Sequence, residues 1–158
     1  MLVRAFAILS IWGLVAVPGS GGESKKDDAK KLQGTWKVVA VDGADKAPAD
    51  QLKNIRMKIT SDKMASYVDG KEINTSKYKI DSAKSPSEID LVVEVLVDKG
   101  DVVERSFETR KGIYELNGDK LKICIAYASS KRKPNPATRP TEFKASGDLT
   151  ILVLERDK

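Results

Sequence analysis

The sequence predicts an all-β protein whose strands close into a small antiparallel up-and-down barrel of about eight to nine strands, with at most one short helix. Apolar and polar residues alternate along most of the chain, and turn signals recur roughly every ten residues. No stretch has a helical period long enough to cover a sheet. These observations leave a sandwich or a barrel, and we favour the barrel because closure pairs the strand edges that a sandwich leaves bare.

The first half of the folded region contains three runs with strand character. Residues 35–41 are β-branched or aromatic and end at an Asp-Gly turn, which is typical of a strand. Residues 48–54 begin with a proline, which favours a first helical turn, so we expect one or two turns of helix there. Apolar and polar residues then alternate along 55–60 and 64–68, which predicts a hairpin with one solvated face.

The second half contains the longest predicted strand, 89–97, in which both faces are partly apolar. Its strongest turn signal is Asn117-Gly118-Asp119, which predicts that the runs on either side pair as a hairpin. Three prolines and four basic residues mark 129–140 as an exposed loop. These signals predict strands at 77–80, 89–97, 102–109, 112–116, 120–126 and 149–155.

The N-terminal residues 1–22 have the pattern of an export signal peptide, with Arg4 before an apolar run from Ala5 to Val17. Because a membrane-spanning helix needs about 20 residues, we expect cleavage rather than lasting membrane insertion. Residues 23–31 are mostly charged or small, which predicts a flexible charged leader, and 32–158 form one folded domain. We therefore expect an exported protein, periplasmic or extracellular.

Charge and cysteine content narrow the possible partners. The net charge is +5, and charges of both signs are interspersed, so we predict a solvated surface and no nucleic-acid partner. Cys124 is the one cysteine, which excludes an internal disulfide. Its apolar neighbours indicate a small buried strand residue, with a reactive thiol as the alternative. We expect a monomer.

The sequence offers little chemistry for catalysis. It contains no histidine, which removes the commonest general base and transition-metal ligand and excludes histidine-based triads. Ser130 and Lys133 match a Ser-x-x-Lys pattern, but neighbouring prolines prevent the helix that this pattern needs. Asp90 and Glu94 share one face of a strand, which a solvated surface explains. We predict no enzymatic activity, no cofactor and no metal site.

A resemblance to a known family rests on three segments. A Gly-x-Trp pattern opens the first strand at Gly34 and Trp36, and the other two segments are 112–124 and the Arg-Pro-Thr-Glu-Phe string at 139–143. Together they resemble the small secreted lipocalin-like domains of planctomycete-type bacteria, over about residues 32–156. The resemblance implies a calycin-type barrel whose tryptophan plugs the closed end. It also implies that an arginine after the last strand, here Arg156, packs on that ring, although a solvated Arg156 is the alternative.

Two functions remain open from the sequence. The first is a binding module that holds a small apolar or amphipathic ligand inside the barrel, lined by Val93, Val95, Ile123 and their neighbours. The second is a cell-envelope interaction module that contacts an anionic polymer or a protein through its surface and a basic loop. That loop contains Lys131, Arg132, Lys133 and Arg139.

Overall fold

The fold is described from a computed structural model, which covers residues 25–43, 46–98, 100, 102–126, 138–147 and 149–158. Within these ranges eight strands form a closed barrel, in which each strand is antiparallel to the next in sequence and the last returns to pair with the first. The predicted all-β up-and-down barrel is confirmed. The strands are β1 Gly34–Gly43, β2 Ile55–Ile59, β3 Lys63–Val68, β4 Lys71–Asp81, β5 Ser87–Asp98, β6 Val103–Asn117, β7 Lys120–Ala126 and β8 Leu149–Arg156. Two short helices, α1 Lys25–Leu32 and α2 Ala49–Leu52, complete the described elements.

The strand count is eight because the predicted strands 102–109 and 112–116 are one strand, β6. Arg110 and Lys111 look like a break in the sequence, but they pair with Leu91 and Asp90 and continue the ladder. Arg110 faces the interior and Lys111 faces solvent, as the two-residue period of a strand requires. The predicted hairpin around Asn117-Gly118-Asp119 is confirmed by the pairing of β6 with β7.

The charged leader predicted at 23–31 is wrong for its described part, because residues from Lys25 onward form α1. Two contacts fix this helix to the barrel. The hydroxyl of Tyr114 donates to Asp28 Oδ2 at 3.0 Å, and the indole nitrogen of Trp36 donates to the carbonyl of Leu32 at 2.8 Å. Leu32 itself is fully buried, so α1 covers one end of the barrel. The predicted signal peptide lies outside the described residues.

The interior is most tightly filled at the end that α1 covers, which we call the closed end. The side chains buried most completely there are Leu32, Trp36, Ile59, Tyr114, Leu121 and Leu154. They come from α1 and from five strands, because every second residue of each strand points inward. The opposite end, which we call the open end, contains α2 and the turn that joins β3 to β4.

A second apolar cluster lies on the outer face of the barrel. Ile113, Cys124 and Ile151 are buried there, and Phe143 from the segment 138–147 packs against them. Cys124 is therefore a buried strand residue, as predicted, and burial raises the pKa of its thiol above the ordinary value. A neutral thiol of this kind is a poor nucleophile, which argues against the reactive alternative.

Candidate functional site

The open half of the barrel contains a cavity of about 350 Å³. This is within the range of about 300–1,000 Å³ that is typical of small-molecule sites. It is also more than twice the size of an apolar cavity of about 150 Å³ that takes up benzene. The wall is formed by Val38, Val41, Ala47, Leu52, Ile55, Met57, Met64, Ser66, Ile73, Asn74, Ser76, Leu91, Val93, Glu94, Arg110, Ile125, Thr150 and Leu152.

Most of this wall is apolar because the inward positions of the strands at this level carry branched or flexible aliphatic side chains. Val93 on β5 and Met64 on β3 are buried there, and they belong to the same apolar cluster as the core residues of the closed end. Leu52 of α2 is 3% exposed and adds to the wall from the open end. The helix therefore separates part of the cavity from solvent.

Polar groups are a minority in the wall, and three of them are buried. Arg110 is 7% exposed and faces inward, because it stands opposite Leu91 in the register of β5 and β6. Thr150 is 1% exposed, and its hydroxyl has no hydrogen-bond partner among the described residues. Ser76 is also buried and belongs to the wall. Such groups fix the orientation of a ligand in an otherwise apolar site.

The wall has a lateral gap between β4 and β5. These strands pair from Asp81 opposite Glu88 up to Lys77 opposite Val92 and no further. Beyond that point residues 71–76 pair with β3, and residues 93–98 pair with β6. Ile73 and Asn74 on one side of the gap belong to the cavity wall, and so does Glu94 on the other side. The gap therefore lies beside the cavity.

The upper parts of β5 and β6 extend beyond the body of the barrel as a two-stranded ribbon. Its outer face exposes Leu96, Val103 and Phe107, of which Phe107 is 70% exposed. Ile73, across the gap, is 62% exposed. Large apolar side chains are uncommon on the surface in such a group. Two of them, Ile73 on β4 and Leu96 on β5, belong to the strands that border the gap.

The residues of the Gly-x-Trp signature lie together at the closed end. The Cζ atom of Arg156 is 4.1 Å from the centroid of the Trp36 ring, so the contact that the resemblance implied is present. Arg156 Nη1 also donates to the carbonyl of Gln33 at 2.9 Å, and Nη2 donates to Lys31 O. Gly34 stands directly beside this guanidinium. These residues close the barrel and lie away from the cavity.

Arg139 is not the free cation that the sequence suggested. Its guanidinium donates to the carbonyl of Gly112 at 2.6 Å and to that of Ile89 at 3.2 Å, and to Asp90 Oδ1 at 2.7 Å. Glu88 Oε2 also lies near the guanidinium, 3.3 Å from Nη2. The charge of Arg139 is therefore compensated within the chain, where it joins the segment 138–147 to β5 and β6. The remaining basic residues of the predicted loop, Lys131, Arg132 and Lys133, lie outside the described residues.

The other candidate residues are placed as follows. Val93 lies in the cavity wall, whereas Val95 packs against the core and Ile123 is buried in it. Asp90 is paired with Arg139, and Glu94 lies 3.2 Å from Arg105. In the described part of the chain, no group of three or more potential ligand side chains is arranged to hold a metal ion.

Sequence reasoning missed Arg110 and Thr150. The strands predicted at 102–109 and 112–116 leave Arg110 between them, although Arg110 stands an even number of residues from Tyr114, an inward position of β6. That parity is the signal that points to an inward arginine. Thr150 lies at the second position of a strand and has no such distinguishing mark in the sequence.

Comparisons with known proteins do not assign the chain to a family. No family model matches the chain, and neither a curated protein nor a solved structure matches it. In the described ranges, none of the helices has both the length and the apolar character needed to cross a bilayer.

Proposed function

We propose that this protein binds a small apolar or amphipathic molecule inside its barrel, in the periplasm or outside the cell. The observation that carries the proposal is a cavity of about 350 Å³ with a mainly apolar wall. Protein interiors are packed nearly as densely as organic crystals, and voids larger than a water molecule are few. A hollow of this size lowers stability unless something fills it, so a bound ligand is the simplest reason for the chain to keep it.

The surroundings of the cavity support the same function. The gap between β4 and β5 offers a side route into the cavity, and the exposed apolar residues Ile73 and Leu96 belong to the two strands that border it. The resemblance of the Gly-x-Trp and Arg-Pro-Thr-Glu-Phe segments to secreted lipocalin-like domains agrees with a barrel that can enclose a ligand. That agreement is one of fold, and the cavity is the physical argument.

The test is a titration with an apolar fluorescent dye, N-phenyl-1-naphthylamine, whose emission rises when it leaves water. We expect saturable binding of one dye per chain. Ser76→Leu places a larger apolar side chain in the cavity and should weaken binding at least about tenfold, without loss of stability, because it fills an existing void.

Thr75→Leu is the matched control, because Thr75 is the exposed neighbour of Ser76 on the same strand. It should change the dye affinity by less than about twofold. If the wild-type protein shows no saturable binding, or if both variants weaken it equally, the cavity is not the binding site.

We do not propose the alternative function, a surface contact with an anionic polymer or a protein partner. Arg139 was one of its four candidate residues, and the structure engages its guanidinium with two carboxylates and two carbonyl groups.

A further inference from the structure

We propose that the ligand is uncharged and carries a hydroxyl or amide head, which binds to Ser66, Asn74 and Ser76 on β3 and β4, while its apolar chain lies against the rest of the cavity wall. This inference rests on the proposed function and adds to it the chemical class of the ligand and its orientation. The three residues all belong to the wall, and we call them the polar patch.

The polar patch is one continuous part of the wall. Ser66 and Asn74 stand opposite each other in the register of β3 and β4, and Ser76 is the next residue of β4 with the same facing, opposite Met64. Paired strands lie about 4.8 Å apart, and alternate residues of one strand lie about 7 Å apart. A single head group can therefore reach all three side chains.

An irregularity in β4 places the polar patch beside the lateral gap. Ile73 is an extra residue of β4 between Asn74 and the pair formed by Tyr67 and Glu72. An extra residue of this kind bends its strand and increases the local twist, and residues 71–76 do not pair with β5. An amphipathic molecule that enters chain first through the gap would leave its head at this side of the cavity.

The side chains of the polar patch suit a head that both donates and accepts hydrogen bonds. Each serine hydroxyl can donate one hydrogen bond and accept two, and the asparagine amide contains both a donor and an acceptor. Ser76 is 7% exposed, so its hydroxyl is largely removed from water. A hydrogen bond to the ligand offsets that loss of hydration. A hydroxyl or amide head has this double capacity and carries no charge.

The charged side chains near the cavity disfavour an ionic head. Arg110 already has a partner within the chain, and Glu108, the adjacent inward residue of β6, has a buried carboxylate oxygen. An anion near Arg110 therefore meets the carboxylate of Glu108, and a cation near Glu108 meets the guanidinium of Arg110. The carboxylate of Glu94 is paired as well, 3.2 Å from Arg105. Because burying an uncompensated ion is costly, an uncharged head is favoured.

The apolar chain of the ligand has its own surface in the cavity. In the closed order of strands, β7 and β8 are the farthest from β3 and β4, and they contribute Ile125 and Leu152 to the wall. A cavity of about 150 Å³ holds benzene, so about 350 Å³ corresponds to roughly a dozen non-hydrogen atoms. Decanol has about that size.

The experiment measures the affinity of the purified protein for decanol, decanoate and decylamine by isothermal titration calorimetry. The three molecules share one chain and differ in the head group, which makes them a matched series. We expect decanol to bind at least about fivefold more tightly than either ion, because only its head enters the cavity without losing the hydration of a charge.

Asn74→Asp locates the head group. It places a carboxylate in the polar patch with almost no change of shape, at an exposed position where a charge is tolerated. In about 0.15 M salt it should strengthen decylamine binding and weaken decanoate binding, each at least about threefold. Thr75→Asp is the matched control, because it adds the same charge to the exposed neighbour, on the other face of the strand. It should change each affinity by less than about twofold.

Ser76→Ala removes a hydroxyl from the polar patch without filling the cavity. We expect decanol binding to fall roughly two- to tenfold, which corresponds to the loss of one uncharged hydrogen bond, while the affinity for N-phenyl-1-naphthylamine changes by less than about twofold. Thr75→Ala, which removes an exposed hydroxyl from the same strand, should leave decanol binding unchanged.

The outcomes separate this inference from the proposed function. Equal or tighter binding of decanoate or decylamine by the wild-type protein would overturn the assignment of an uncharged head and leave the binding function intact. Equal effects of Asn74→Asp and Thr75→Asp on decylamine binding would show that the head does not lie at the polar patch. Dye binding without decanol binding would overturn this inference alone. Absence of binding for the dye and for all three ligands would overturn both.

Discussion

The guanidinium of Arg156 occupies the space beside Gly34 that a side chain at that position would take. A Cβ atom at Gly34 would lie 2.6 Å from Arg156 Nη1, and the backbone of Gly34 has a φ of +130°, which side chains rarely tolerate. The absence of a side chain lets Arg156 lie over the Trp36 ring and donate to the carbonyl of Gln33. The glycine and the tryptophan of the Gly-x-Trp pattern therefore both contact Arg156. Through this arginine the last strand, β8, is held to the start of β1.

Gly34→Ala should therefore lower the free energy of unfolding by about 1–3 kcal/mol, because it combines backbone strain with a displaced guanidinium. The measurement is urea denaturation of the variant in the wild-type and in the Arg156→Ala background. In the second background the steric conflict is gone and the strain remains, so the loss should be smaller. Equal losses in both backgrounds would show that the contact with Arg156 does not matter.

Trp36 and Arg156 should be energetically coupled. Trp36→Ala removes a fully buried side chain and should cost about 3–5 kcal/mol, whereas Arg156→Ala alone should cost less. Since the cation stands over the ring only when both are present, the double variant should recover about 0.5–2 kcal/mol relative to the sum of the single losses.

A second cycle provides the reference for this coupling. Arg105 is exposed on the ribbon at the opposite end of the barrel, so Trp36→Ala and Arg105→Ala should be additive within about 0.5 kcal/mol. Additive losses for Trp36 and Arg156 as well would show that the stacked geometry contributes nothing to stability.

The barrel could be predicted because its main signal is local. Alternation along β2, β3 and β7 gives strand identity residue by residue, and tight turns such as Asn117-Gly118-Asp119 give the order of pairing. Local signals did not reveal that 25–32 is helical, because α1 is held by partners distant in sequence. The hydrogen bond from Tyr114 to Asp28 joins residues that are 86 positions apart.

The candidate site was predictable only in outline. Alternation placed Val93 on the inner face, where it lines the cavity. Arg110 was missed because an arginine at an inward position violates the rule that buried faces are apolar, and the sequence alone gives no reason for the exception. Whether a barrel is hollow depends on how the volumes of inward side chains from all eight strands add up, which no single segment reveals.

Arg139 should stabilise the fold in a way that lysine does not replace. Its planar fork reaches two carbonyl groups and Asp90 at once, whereas an ammonium group is a single compact charge. We expect Arg139→Lys to lower the free energy of unfolding by about 1–3 kcal/mol. Arg105→Lys, at an exposed ion pair, should change it by less than about 0.5 kcal/mol. A similarly small effect of Arg139→Lys in urea denaturation would contradict the role of the fork.

Stability should decline at alkaline pH because of buried groups that hold their protons in the folded protein. Burial and the hydrogen bond to Asp28 raise the pKa of Tyr114 well above its ordinary value, and burial raises the pKa of Cys124. In the unfolded chain these groups lose their protons near about pH 10 and about pH 8.5. Above those values the unfolded state binds fewer protons than the folded state, so the free energy of unfolding decreases as pH rises.

Tyr114→Phe tests the larger of these two effects. It should lower stability at neutral pH, through loss of the hydrogen bond to Asp28, by about 1–3 kcal/mol. Between about pH 9.5 and 11 its stability should nevertheless fall less steeply than that of the wild type, because one group with a shifted pKa is absent. Urea denaturation at a series of pH values gives both quantities. Parallel pH profiles for the two proteins would mean that Tyr114 ionises as easily in the barrel as in water. That result would contradict the burial of the Tyr114 hydroxyl between α1 and the closed end.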